Sequence, residues 1–174
     1  MRRNRTTLWC PCVVGIDLSS RAVDIVRLSE NEDTADWISI PLSGATAWDR
    51  TRDIAKQMPV GTWWDDVYLC AIEKPFGPSR LAQSVLMRAQ GAILGAVPHR
   101  VEAWEVTPGE WKRYIGIPLS AKPSWGDFDP SLFDELWSQD ARDALGVALY
   151  ARAVNSAGIA KQAEIKVAYE QVSS

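Results

Sequence analysis

The sequence predicts an α/β domain: a mixed five-stranded sheet, made of a three-strand antiparallel meander plus two parallel strands, flanked by helices. Three apolar, β-rich runs open the chain with only short turn signals between them, the pattern of a meander. Two later apolar runs are set apart by helix-length segments, the spacing of crossovers to parallel strands. The C-terminal third is helical in pattern, so helices are left to cover the sheet.

Each element has its own local reason. Leu8 to Leu18 reads as the first strand, and its Val/Ile content marks a buried one. Ser19, Ser20 and Arg21 make a turn into a second strand, Ala22 to Leu28. An acidic loop, Glu30 to Asp33, leads to a third, Trp37 to Leu42. A helix over Trp48 to Met58 ends at the breakers Pro59, Val60 and Gly61. Val67 to Ile72 is the fourth strand and ends on Glu73. Pro75, Gly77 and Pro78 then interrupt the chain before a long helix, Ser79 to Val97. Val101 to Val106 is the last strand, and Thr107-Pro108 opens a short helix. After a Pro/Gly-rich loop from Gly116 to Pro130, Asp129-Pro130-Ser131 offers an N-cap and a first-turn proline. The helix expected there runs to about Ala157, and another covers Ala160 to Gln171.

With 174 residues, 47% of them hydrophobic, the whole chain (1–174) is expected to form one domain with a substantial core. The net charge of −3 argues against general adhesion to nucleic acid. The charge is uneven, however: Asp24 to Asp66 holds nine acids against four bases, and Lys74 to Lys122 holds seven bases against three acids. One face can therefore be locally positive. Cys10, Cys12 and Cys70, with the single His99, lack the spacing of a zinc site and read as buried thiols of a reduced compartment. The basic N-terminus imitates a signal peptide, but Pro11 and Asp17 interrupt the apolar run. No segment approaches the length needed to cross a bilayer, so a soluble, cytoplasmic protein is expected, with no membrane partner.

The chemistry lies in four acids. Asp17 ends the first apolar strand, where an ionised carboxylate costs several kcal/mol unless a cation or hydrogen-bond donors satisfy it. Glu73 ends the fourth strand in the same way. Leu136, Asp140, Asp143, Val147 and Tyr150 follow helical spacing, so Asp140 and Asp143 interrupt a stripe that otherwise packs on the sheet. Like charges one turn apart repel, and Arg142 points to another side of the helix. A divalent cation removes both difficulties, and a set of oxygen donors without His or Cys favours Mg²⁺ or Mn²⁺ over zinc. Four carboxylates around about two hydrated cations is the arrangement that phosphodiester hydrolysis needs.

These residues carry a resemblance. Gly15-Ile16-Asp17-Leu18-Ser19-Ser20-Arg21 resembles the first-strand motif Gly-Ile-Asp-Pro-Gly-Ser-Arg of the RuvC-type Holliday-junction resolvases, within the RNase H-like nuclease superfamily, departing at Leu18 and Ser19. Glu73-Lys74-Pro75-Phe76 is similar to the family's second acid with an aromatic three residues on. Gln90-Gly91-Ala92 loosely resembles part of the following helix, and Asp140 to Ala148 is similar to the family's C-terminal Asp-Ala-Ala-Asp-Ala-Leu-Ala. The resemblance implies an RNase H-like fold and a homodimeric, metal-dependent endodeoxyribonuclease. Such an enzyme nicks a four-way (Holliday) DNA junction symmetrically, in recombination and repair, leaving 5′-phosphate and 3′-hydroxyl ends. Asp17, Glu73, Asp140 and Asp143 would be catalytic metal ligands, with Asp17 bridging two ions. Phe76 would stack on bases at the junction, and Arg80, Lys112 and Lys122 would join it as DNA contacts. The helix from Ser79 to Val97, with Gly91 and Gly95, would form the dimer contact or else pack closely on its own sheet.

Three other readings compete. Gly-Ile-Asp-Leu-Ser-Ser also resembles the first phosphate loop of actin/hexokinase-type ATPases, but the second loop of that type is missing. An RNase H-like module kept only for DNA binding would have little reason to gather unligated acids. A nuclease acting on forks, flaps or other branched DNA keeps the same chemistry and changes only the substrate.

Overall fold

The computed structural model describes residues 11–19, 21–30, 34–44, 46–75, 79–132 and 137–172. Strands β1 (Cys12–Leu18), β2 (Ala22–Ser29) and β3 (Ala35–Pro41) form the antiparallel meander. β4 (Val67–Glu73) pairs in parallel with β1, and β5 (Glu102–Val106) in parallel with β4. The five-stranded sheet therefore runs β3-β2-β1-β4-β5, the mixed architecture that the sequence predicts. Ser19 fixes the first turn, its Oγ accepting from the N–H groups of Arg21 and Ala22 at 3.1 and 3.0 Å. The part of the expected first strand from Leu8 to Cys10 lies outside the described residues.

Among the described residues, four α-helices flank the sheet: α1 (Ala47–Gln57), α2 (Arg80–Ala96), α3 (Pro108–Tyr114) and α4 (Gln139–Val172). Local capping explains where they begin. Thr46 and Asp49 form a reciprocal capping box on α1, and Ser79 Oγ accepts from Ala82 N–H on α2 at 3.2 Å. Glu110 reaches back to the N–H and O–H of Thr107, both at 2.7 Å, at the start of α3.

The C-terminal helices differ from the expectation. Asp129 does accept from the N–H and Oγ–H of Ser131, at 2.9 and 2.8 Å, and among the described residues the turn it closes opens a short 3₁₀ segment, Pro130–Leu132. The long helix opens at Gln139 instead, after Ser138, whose Oγ accepts from Ala141 N–H at 3.0 Å. The break expected between Ala157 and Ala160 is absent, and α4 passes through Gly158 to Val172 as one helix. A lone glycine weakens a helix by about 1 kcal/mol relative to alanine, which does not suffice to end it.

Side-chain alternation divides the sheet into two faces. Val14, Ile16, Val23, Ile25, Cys70 and Ile72 pack with Ile54 of α1 and Ile93 of α2 in one core. The opposite face belongs to α4: Val26 and Leu28 pack with Ala141, Ala144, Leu145 and Ala148, while Val13, Leu69 and Ala71 pack with Val147, Ala151 and Trp111 of α3. Trp64 and Trp111 are wholly buried, Trp63 packs against the first core, and Cys12 and Cys70 are buried.

Gly15 seats α4 on β1. A Cβ at this position would collide with the carbonyl oxygen of Ala144 and lie 2.5 Å from the backbone nitrogen of Ala148. Only glycine lets the two backbones meet so closely. Gly15→Ala is expected to destabilise the fold by at least about 3 kcal/mol in urea denaturation, because the obstacle is helix backbone and not a movable side chain. Unchanged stability would mean that α4 does not contact β1 in this way.

Candidate active site

The face of the sheet under α4 carries a row of acids at one end. Asp17 lies two residues beyond Gly15 on β1, and Glu73 two beyond Ala71 on β4. Asp24 of β2 is the cross-strand partner of Asp17. The helix runs antiparallel to β1: Val13 packs with Val147 and Ala151, Gly15 meets Ala144 and Ala148, and Asp17 meets the first turns of α4. Carboxylate oxygens of Asp17, Asp140 and Asp143 lie within 4.8 Å of one another. The strand end and the helix stripe thus converge as the sequence predicts.

Glu73 stands beside this trio without belonging to its tightest grouping. Its Oε2 accepts from the indole Nε1–H of Trp111 at 2.7 Å, and its charge acts directly on Asp17. Asp24 is 1% exposed and held differently, its Oδ1 accepting from Trp37 Nε1–H at 3.0 Å and Ser138 Oγ–H at 3.2 Å. Asp24 thereby ties β2 to β3 and to the residue that caps α4.

Burial dominates the electrostatics. Asp17, 9% exposed, has a carboxyl held well above its ordinary value, first by burial and then by the charges of Glu73, Asp143, Asp140 and Asp24. Glu73 is raised by burial, against the opposing hydrogen bond from Trp111. Asp143 is raised by burial although Lys122 opposes the shift. Asp24 is also raised by burial, with hydrogen bonds from Trp37, Ser39 and Ser138 pulling the other way. A fold that holds these acids close together disfavours their ionisation until a cation offsets the charge.

The donor set fits a hard divalent cation. All ligands are carboxylate oxygens, and Asp143 Oδ1 is a buried oxygen with no hydrogen-bond partner. A buried acceptor in that condition costs about 1–3 kcal/mol, and a bound ion relieves it. The only cation drawn in is Lys122 among the described residues' ion pairs at these acids, with Nζ 3.3 Å from Asp143 Oδ2. One ammonium on a side chain 66% exposed cannot neutralise the whole group.

The expected DNA-contacting residues are placed unequally. Phe76 lies outside the described residues. Arg80 is exposed at the first residue of α2. Lys122 reaches the acids. Lys112 donates to the carbonyl oxygens of Leu119 and Ala121, both at 2.9 Å, and so fastens the loop that delivers Lys122. Arg142 donates to Pro123 O at 3.3 Å on the same loop, away from the acid stripe.

Sequence reasoning missed three contributors. Asp24 gives the same signal as Asp17, an acid inside an apolar strand, and was legible on that ground. Ser138 is an ordinary N-cap overshadowed by the Asp129-Pro130 turn. Trp111 is 38 residues from Glu73 in the chain, and no local pattern links them.

No family model matches the chain, and no curated protein matches it significantly. Solved structures do. Thermus thermophilus RuvC in complex with a Holliday junction substrate superposes with a TM-score of 0.66 at 18% identity, covering 84% of this chain and 96% of that one. A second Thermus thermophilus RuvC structure gives 0.64 at 18% identity over the same shares. The yeast mitochondrial Holliday junction resolvase Ydc2 gives 0.48 at 12% identity, covering 88% of this chain and 86% of that one. The fold is therefore RuvC-like, of the RNase H-like class.

The raised carboxyls fix the sign of a pH effect. Groups whose folded values lie above the ordinary 3.8 stabilise the protein at low pH and lose that contribution as pH rises through the folded values. In EDTA at pH 7, Asp17→Asn is expected to be more stable than the parent by on the order of 1–3 kcal/mol. The gap should shrink as pH falls toward 4, and Mn²⁺ should stabilise the parent alone. Denaturation at several pH values with and without metal measures this, and equal stability in EDTA at pH 7 would mean that Asp17 is already satisfied.

Proposed function

We propose that this chain, as one nuclease domain over 1–174, is a metal-dependent endodeoxyribonuclease of the RuvC type that cuts four-way DNA junctions as a homodimer in the cytoplasm. The observation that carries the proposal is the meeting of Asp17, Asp140 and Asp143, with a buried, partnerless Oδ1 on Asp143 and Glu73 alongside. The RuvC-like fold supports it, since one neighbour was solved with a Holliday junction substrate.

Asp17, Glu73, Asp140 and Asp143 would hold Mg²⁺ or Mn²⁺, two ions in the working enzyme. When bound, such ions activate water and neutralise charge on the phosphate being cut. The protein's part is to hold four carboxylates in fixed positions against their mutual repulsion. Lys122 sits on Asp143 while the site is otherwise uncompensated, and is free to turn to a DNA phosphate once the acids are neutralised. Arg80, and Lys112 through the N–H that the loop carbonyls leave over, would add phosphate contacts, and Phe76 a surface for unpaired bases. The products would be 5′-phosphate and 3′-hydroxyl ends.

The outer face of α2 supports the dimer. A Cβ at Gly91 or Gly95 would meet nothing within 4 Å, so these glycines do not serve packing on the chain's own sheet. Met87, one turn before Gly91, is 57% exposed. A second copy of α2 would cover this stripe and put two active sites under one twofold axis, as symmetric nicking requires.

Labelled four-way junction, fork, flap and linear duplex, incubated with Mg²⁺, Mn²⁺ or EDTA, test the proposal. Metal-dependent paired nicks in the junction are expected, and preferential cutting of forks or flaps would move the substrate to other branched DNA. Asp143→Asn should bind the junction but cut it more than about 100-fold more slowly; normal cleavage would remove Asp143 from the mechanism. Arg80→Ala should weaken junction binding and lower the slope of log affinity against log salt by about one, read by fluorescence anisotropy. An unchanged slope would take Arg80 off the DNA.

A further inference from the structure

We infer that Trp111 is a positioning residue for Glu73, seated in a recess that Gly146 provides; the inference rests on the nuclease reading above. Trp111 is wholly buried although it belongs to a seven-residue helix at the edge of the sheet. Its ring packs among Leu69, Ala71, Val106 and Val147. On α4, a Cβ at Gly146 would lie 2.5 Å from its Cε3 and 2.7 Å from its Cζ3. The neighbouring ammonium of Lys112 stands 5.4 Å from the ring centroid. The ring is therefore held on several sides, and the direction of its N–H is set by the core.

Indole offers a single donor, and here it goes to Glu73 Oε2 at 2.7 Å. Glu73 is the last residue of β4, where the chain leaves the sheet and a flexible acid would otherwise swing toward solvent. The bond fixes the rotation of the carboxylate, whose remaining lone pairs would stay available to a cation. It also favours the ionised form that a cation needs, against the effect of burial. The pairing is between side chains of α3 and β4, and its stability depends on a third element, α4, having no side chain at position 146.

Trp111→Phe keeps an aromatic side chain at the position and removes the donor, along with the second ring of the indole. In metal-free protein, the indole resonance that this variant lacks should lie downfield in the ¹⁵N–¹H spectrum and shift in Glu73→Gln. Calorimetric Mn²⁺ affinity of Trp111→Phe should fall about tenfold. Junction cleavage should need correspondingly more Mn²⁺ but approach the parent rate at saturation. Gly146→Ala, which disturbs the ring without touching Glu73, should weaken Mn²⁺ binding in the same direction. Trp111→Phe with parental Mn²⁺ affinity, or an indole resonance indifferent to Glu73→Gln, overturns the inference. If Trp111→Phe behaves as the parent while Glu73→Gln is inactive, only this inference falls; if Glu73→Gln cuts normally, the nuclease assignment of Glu73 falls with it.

Discussion

Acids brought together inside a protein repel one another and lose the solvation that keeps them ionised, and this structure accepts both penalties at one end of its sheet. Asp17 and Asp143 are buried there, within reach of Asp140 and beside Glu73. Desolvation is the leading influence on Asp17, Glu73 and Asp143 alike. A fold selected for stability alone would place these groups on the surface or pair each with a base. The arrangement becomes favourable once divalent charge enters, and the rest of the architecture serves to hold it until then.

That holding is distributed. Gly15 allows α4 to approach β1 so closely that Asp140 and Asp143 reach Asp17. Asp24, through Ser138, anchors the residue that starts the same helix. Lys112 fastens the loop bearing Lys122, and Lys122 lends a positive charge to Asp143. These contacts come from β2, β3, α3 and a loop, so the position of the acids is set by the whole α4 side of the molecule. The other side of the sheet, packed by α1 and α2, leaves part of the α2 surface uncovered.

Much of this was legible in the sequence, for physical reasons that can be named. The strands announce themselves because a sheet covered on both faces needs near-continuous apolar runs, and short turns dictate antiparallel neighbours. Asp140 and Asp143 stand out because helical periodicity puts them on the packed stripe. The helix boundaries failed where two local signals competed: Asp129-Pro130 makes a good turn, but Ser138 caps the helix that the sheet binds. The gap expected between Ala157 and Ala160 spans Gly158, yet α4 runs straight through it, because a single glycine is too weak to end a long helix. The bond from Trp111 to Glu73 was invisible because it depends on how α3 folds back across the sheet edge, which no spacing encodes.

The most direct measurement is anomalous diffraction from crystals of the protein soaked in Mn²⁺. Two peaks are expected among the carboxylates of Asp17, Glu73, Asp140 and Asp143, with Lys122 displaced from Asp143. An unchanged contact between Lys122 and Asp143, with no anomalous density among the acids at saturating Mn²⁺, would contradict the assignment of this cluster as a metal centre.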